Sequence, residues 1–87
     1  SLKENQLLDF KLYPNPSNGT FTIELPQEYT VNSDIIVLDL AGRTLHSAVY
    51  SSKSFDLDLS NLSSGNYILK IVNNEKVITK NISIQHN

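Results

Sequence analysis

Residues 13–25 read YPNPSNGTFTIEL. The second half of this stretch decides the fold. Phe21, Ile23 and Leu25 alternate with Thr20, Thr22 and Glu24, so an extended chain carries the apolar three on one face and the polar three on the other. The first half is punctuation. Pro14 and Pro16 end a short strand, Phe10 to Tyr13, and hold the chain extended. Asn18-Gly19 then reverses it into the alternating run. A proline-recognising partner needs an accessible PxxP-type segment, and Pro-Asn-Pro folded against a sheet edge offers none.

The same grammar continues outward from this stretch. Asp34 to Leu40 (DIIVLDL) is apolar on both faces, which suits a strand covered on more than one side. Ala41-Gly42 turns it into Arg43 to Tyr50, a hairpin partner whose register is open; the pattern favours Leu45 and Val49 as inward. Ser54 to Leu59 alternates with Phe55, Leu57 and Leu59 inward. A turn cluster, Ser60 to Gly65, leads to Asn66 to Val72 with Tyr67, Leu69 and Ile71 on one face. Lys76 to Ile84 is the last strand, and Val77 lies out of phase with Ile82 and Ile84, which predicts a bulge near Thr79 to Asn81. Seven strands with regular turn signals predict an all-β fold, a seven-stranded immunoglobulin-like antiparallel β-sandwich. The cysteine pair and core tryptophan of antibody domains are missing, so the likeness is architectural. Residues 1–9, SLKENQLLD, have no period and read as a linker or tether to an upstream domain; residues 10–87 form the one domain.

Composition narrows the function. The chain has 87 residues, a formal net charge of -2 and no cluster of either sign, which argues against nucleic acid as a partner. It has no cysteine, which removes disulfides, thiolate nucleophiles and thiolate metal sites together. No apolar run approaches the ~20 residues that span a bilayer as a helix, so no membrane insertion is expected. A start at Ser1 and the lack of any methionine suggest a piece of a longer polypeptide.

No constellation of residues suggests catalysis or a cofactor. His46 and His86 are far apart in sequence and read as solvent-facing. Asp56 and Asp58 share a strand face, with Asp39 in a neighbouring strand, but they lack the loop through which oxygen ligands converge on calcium. No serine sits in a nucleophile elbow. Among the tyrosines, Tyr67 reads as a core or corner residue with its hydroxyl on backbone, and Tyr13 as a lid over one end of the core. Tyr29 and Tyr50, at loop edges, are contact candidates for a sugar-binding surface. Three Asn-x-Ser/Thr triplets, beginning at Asn18, Asn61 and Asn81, match the glycosylation acceptor pattern and are assigned no role.

The punctuation taken in order is more specific than any part of it. Tyr-Pro-Asn-Pro with Asn18-Gly19 comes first, then DIIVLDLAGRTL, then LDLSNLSSGNYILKI, then a short final strand. From about Phe10 to Gln85 this resembles the type A C-terminal sorting domain of the type IX secretion system of Bacteroidetes. The resemblance implies an immunoglobulin-like sandwich and a non-catalytic delivery module at the end of an exported cargo protein. Cargo of that kind reaches the periplasm by a separate signal. The sorting domain then directs it through the outer-membrane translocon, and a sortase-like protease removes the domain at the cell surface, where cargo is attached or released.

By the same resemblance, Pro14, Asn15, Pro16 and Gly19 match the opening motif. Asp39, Gly42 and Arg43 match the middle hairpin motif, and Gly65 and Tyr67 the late one. Lys80, Ile82 and Ile84 fall where the family's terminal strand carries export information, so removal of Lys80 to Asn87 is expected to abolish export. Asn66 stands where a small apolar residue is usual, and Ser83 to Asn87 is less basic than in many members. Apart from the resemblance, Gly42 and Gly65 fit turns with positive φ, and Arg43 fits a pair with Asp39. The competing readings are a carbohydrate-binding or adhesive sandwich appended to a secreted enzyme, and a structural spacer.

Overall fold

A computed structural model describes residues 10–29, 32–74 and 76–86 of the chain. The tether proposed for residues 1–9 lies outside the described residues. Seven strands follow in order: β1 (Lys11–Tyr13), β2 (Thr20–Glu24), β3 (Ser33–Leu38), β4 (Thr44–Tyr50), β5 (Ser54–Asp58), β6 (Gly65–Asn73) and β7 (Lys76–Ile84). They form two antiparallel sheets, β1-β2-β5 and β4-β3-β6-β7. The expected sandwich is what the chain builds, and each of the seven strands falls where alternation and turn chemistry placed it.

The core lies between the sheets. Phe21 and Ile23 of β2 and Leu57 of β5 face Ile35 and Val37 of β3, Leu69 and Ile71 of β6, and Ile82 and Ile84 of β7. Burying such side chains contributes roughly 1.5–3 kcal/mol each, and it fixes register, because a slip of one residue would turn each apolar set outward. The two open sides of the sandwich are closed differently. Between the β4 and β5 edges, Tyr50 stacks on Phe55 with ring centroids 4.0 Å apart. Between the β7 and β1 edges, the Lys80 ammonium lies 5.2 Å from the centre of the Phe10 ring, a cation–π contact.

Several side chains face otherwise than their sequence pattern suggests. Leu45 and Val49 point outward, Val49 at 62% exposure. The inward set of β4 is His46, Ala48 and Tyr50. That phase follows from the pairing of β4 with inward Ile35 and Val37, which face Ala48 and His46, while Val49 pairs with outward Asp34; a bulge between Val37 and Leu38, which pairs with Thr44, leaves Leu45 as an extra residue. The bulge expected in β7 is absent, since β6 and β7 pair without a break from Gly65↔Ile84 to Asn73↔Lys76. Val77 is out of phase because it lies on the outer face opposite Val72, while Ile78 takes the inward phase with Ile82 and Ile84.

The tyrosines are sorted by local backbone. Tyr29, at the end of a 3-10 turn (Gln27–Tyr29), is buried at 1% exposure and offers no contact surface. Its carbonyl accepts the Ser33 hydroxyl, which in turn accepts the Asn73 carboxamide at 3.1 Å. Tyr13 is an outer-face residue rather than a lid; its hydroxyl donates to Glu24 of β2, which raises its pKa above 10.0. His46 does not face solvent either, for its Nε2 is buried without a partner among the described residues.

Candidate functional site

Three of the four sequence motifs meet at one end of the sandwich, and the fourth projects from the same end. β6 begins there with Gly65 opposite Ile84 and Tyr67 opposite Ile82. β3 ends there, with Leu38 opposite Ile68, so the Asp39 to Arg43 turn emerges beside them. The opening motif reaches this end by leaving its own sheet.

After β1, Pro14 and Pro16 each follow a cis peptide bond, where the sequence predicts a simple extended passage. The segment lies along the outer edge of β7, and Ser17 and Ile84 form a parallel bridge. Ser17 N–H donates to Ser83 O at 3.1 Å, and Gln85 N–H donates to Ser17 O at 2.8 Å. One step away the Asn15 side chain imitates a peptide group. Its Nδ2 donates to Asn81 O at 3.2 Å, and its Oδ1 accepts Ser83 N–H at 3.0 Å. The chain then crosses back to β2 through a turn closed by the Ser17 hydroxyl, which accepts Gly19 N–H at 3.0 Å and donates to Thr20 O at 2.6 Å.

Gly19 is required by close approach as well as by conformation. Its φ is 120°, and a Cβ there would lie 2.6 Å from Ser60 Cα and 2.9 Å from Ser60 N. Its carbonyl accepts Leu59 N–H at 2.6 Å, fastening the start of β2 to the end of β5. The neighbouring Asp58 accepts the Ser60 hydroxyl at 2.6 Å and its N–H at 2.9 Å, and these two donors lower its pKa below 3.8.

The middle motif is a self-contained turn. Asp39 Oδ1 accepts Arg43 N–H and Ala41 N–H, each at 2.9 Å, while Oδ2 accepts the Arg43 Nε–H at 2.7 Å. The Arg43 N–H is the largest cause of a lowered Asp39 pKa, followed among the favourable contacts by the guanidinium. Gly42 has φ 90°, as the sequence suggests. Asp39 belongs to the sheet opposite Asp56 and Asp58, so the three carboxylates are not neighbours. Asp56 instead accepts the Thr22 hydroxyl across the β2–β5 pair at 2.9 Å.

The late motif is a tyrosine corner. Tyr67 is 8% exposed, and its hydroxyl donates to Ser63 O at 2.6 Å. Gly65 has the positive φ that the sequence suggests, 159°, but as the first residue of β6 rather than within the turn. His86 is exposed but tied down: its N–H donates to the Ser64 hydroxyl at 2.9 Å, and its Nε2 lies 2.7 Å from Leu62 O.

β7 is therefore held at its far end from two directions, by residues 15 and 17 along its edge and by residues 62 and 64 beyond its end. Of the terminal-strand candidates, Ile82 and Ile84 are core residues at 1% and 0% exposure, and Lys80 lies over Phe10. None presents a free side chain to a partner. Ser83 N–H and Ser83 O both face residues 14–17, away from β6. By the two-residue period of a strand, the backbone groups of Val77, Thr79 and Asn81 face the same way. Ser17, Asn81, Ser83 and Gln85 escaped sequence reasoning, because a contact between distant segments leaves no local periodicity.

The molecule is thus a small β-sandwich whose chemistry-bearing groups serve turns, edges and closure. The family model described as secretion system C-terminal sorting domain matches residues 11–85. The chain belongs to that family, the type IX sorting domains that its motif order resembles, and its function is that of a sorting signal. A solved structure of PorZ, described as an essential bacterial surface component of the type IX secretion system of Porphyromonas gingivalis, has a similar fold. The TM-score is 0.73 at 18% identity, over 99% of this chain and 13% of PorZ. No curated protein sequence matches the chain. A domain of this family serves export to the cell surface or the extracellular space.

Proposed function

We propose that this domain is a non-catalytic export label, carried behind a cargo domain and read as a folded shape by the outer-membrane translocon. A sortase-like protease then separates label from cargo, which is attached at the surface or released. Residues 1–9, whose sequence has no strand period, serve as the tether, and cleavage falls in or before it. Gly19 at the crossover, Asp39, Gly42 and Arg43 at the turn and Tyr67 at the corner act by holding the shape.

One observation carries the reading of where the label is touched. β7 is an edge strand whose Ile82 and Ile84 face the core, so what it offers a partner is its backbone. An exposed strand edge is a template for strand addition, and the open part of this edge is the half around Val77 and Thr79, short of the Asn81 carbonyl that Asn15 occupies.

The test uses a periplasmic reporter fused to residues 1–87 in a bacterium with a type IX system. Thr79→Pro removes an N–H that faces away from β6, a position where an edge strand tolerates proline. We expect export to fall while the domain's thermal midpoint stays within a few degrees of the parent. Normal export of a folded Thr79→Pro reporter would falsify the edge reading. Mass spectrometry of the exported reporter locates the cut; a cut within residues 10–87 removes the tether assignment.

A further inference from the structure

The outward groups of β7 divide into two classes. Those of Val77 and Thr79 have no backbone partner beyond β6 among the described residues. Those of Asn81 O, Ser83 N–H, Ser83 O and Gln85 N–H are each taken by the crossover segment, two by the Asn15 carboxamide and two by the Ser17 backbone. An added strand would make the same four contacts. Asn15 and Ser17 therefore occupy the positions a docking strand needs, and the two cannot be there together.

We propose that residues 14–17 are a displaceable guard on the docking edge of β7. This rests on the edge reading above and adds its regulation. With the guard in place, a partner pairs only with the half around Val77 and Thr79, short of the Asn81 carbonyl. With the guard lifted, the edge runs unbroken from Val77 to Gln85. The partner that fits is an extended segment supplying alternate N–H and C=O groups. On the outer face, its side chain beside Val77 is aliphatic, because Val77 is exposed there next to the half-buried Val72.

The arrangement suits a guard rather than a permanent eighth strand. Residues 14–16 are exposed and outside the buried core, and Ser17, the one buried residue of the guard, is small and polar, so lifting the segment uncovers little apolar surface. The guard is also short. Two of its four bonds come from one side chain, which can leave without unfolding β1 or β2. The core anchors on either side, Phe10 and Phe21, stay in place.

Asn15→Ala tests this directly, since Asn15 is exposed and touches no core residue. Amide hydrogen exchange reads the guard: loss of the carboxamide should speed exchange at Ser83 by about tenfold or more, and at Gln85 to a lesser degree. Ile82, whose amide faces β6, should not change. Export of the reporter should hold at the parent level or rise. Unchanged protection at Ser83 overturns the guard. So does a loss of export by about tenfold with the domain folded, for residues 14–17 would then be something the partner reads. Thr79→Pro separates the two claims. If it exports normally the edge reading fails, while Ser83 exchange in Asn15→Ala still decides whether residues 14–17 lift from β7.

Discussion

The hydroxyl of Tyr67 donates to the carbonyl of Ser63, fastening the β5–β6 connection to the start of β6. The bond is part-buried, so water replaces it incompletely. Tyr67→Phe keeps the ring and should cost about 0.5–1.5 kcal/mol. In a domain of this size the midpoint falls by roughly 4–8 °C per kcal/mol. A thermal melt indistinguishable from the parent's would show that the corner adds nothing.

Gly19 and Gly42 both have positive φ, yet they differ in surroundings. A Cβ at Gly42 meets nothing within 4 Å, whereas one at Gly19 collides with the Ser60 backbone. Gly42→Ala should therefore cost about 1–2 kcal/mol of backbone strain, and Gly19→Ala should cost more. Urea unfolding of the two variants checks the order; equal losses would mean that Ser60 moves aside freely.

Asp39 and Asp58 have pKa values lowered on folding. Each binds its proton less readily in the folded chain, so each stabilises the fold above its unfolded value of 3.8. That contribution is lost as pH falls through the lowered folded value. Asp39→Asn and Asp58→Asn should be less stable than the parent at neutral pH, and the gap should narrow as pH falls below 3.8 and through the lowered folded values. Tyr13 runs the other way. Its raised pKa stabilises below 10.0 and ceases to do so as pH rises through the folded value, so Tyr13→Phe should flatten the alkaline limb. Both profiles come from denaturant titrations across pH.

The strands were legible because their chemistry is local. Val, Ile, Thr and aromatic residues at period two, cut by Gly, Asn and Pro, decide extension without reference to the rest of the chain. What was not legible depends on partners. Leu45 and Val49 look like a core pair until Tyr50 is seen stacked on Phe55 of the other sheet, which sets the phase of β4 and turns both outward. Val77 suggested a bulge only because an exposed valine on an outer face has no polar marker. Tyr29 lies in a segment with no period, and a single 3-10 turn sends it inward. At the site, Pro14 to Gly19 was legible as punctuation, and its contact with β7 was not. The Asn15 bonds join residues 66 and 68 positions apart, a separation over which periodicity carries no information.

His46 faces inward because of that phase, with Nε2 buried and unpartnered among the described residues. A buried polar atom without a partner costs about 1–3 kcal/mol. His46→Leu should therefore raise stability by about 1 kcal/mol, read as a higher urea midpoint at unchanged slope. A lower midpoint would mean that the imidazole has a partner in solution.

Ile82 is buried between the sheets, and Ile82→Ala should cost about 2–5 kcal/mol, enough to unfold much of a small domain. Export should then fail together with the near-ultraviolet circular dichroism of the core. Removing residues 80–87 does the same on a larger scale, so that deletion reports the loss of the fold rather than the reading of any terminal side chain. Export by a variant shown to be unfolded would overturn a shape-based label.

Ile84 is bridged to Ser17 on one side and paired with Gly65 on the other. The last strand of the domain is thus what joins its first crossover to its second sheet. A chain still being synthesised, or one that stops short of Ile82, can form the earlier hairpins but cannot close the core. The shape is complete only once β7 is in place, so a chain cut short before Ile84 carries no finished label.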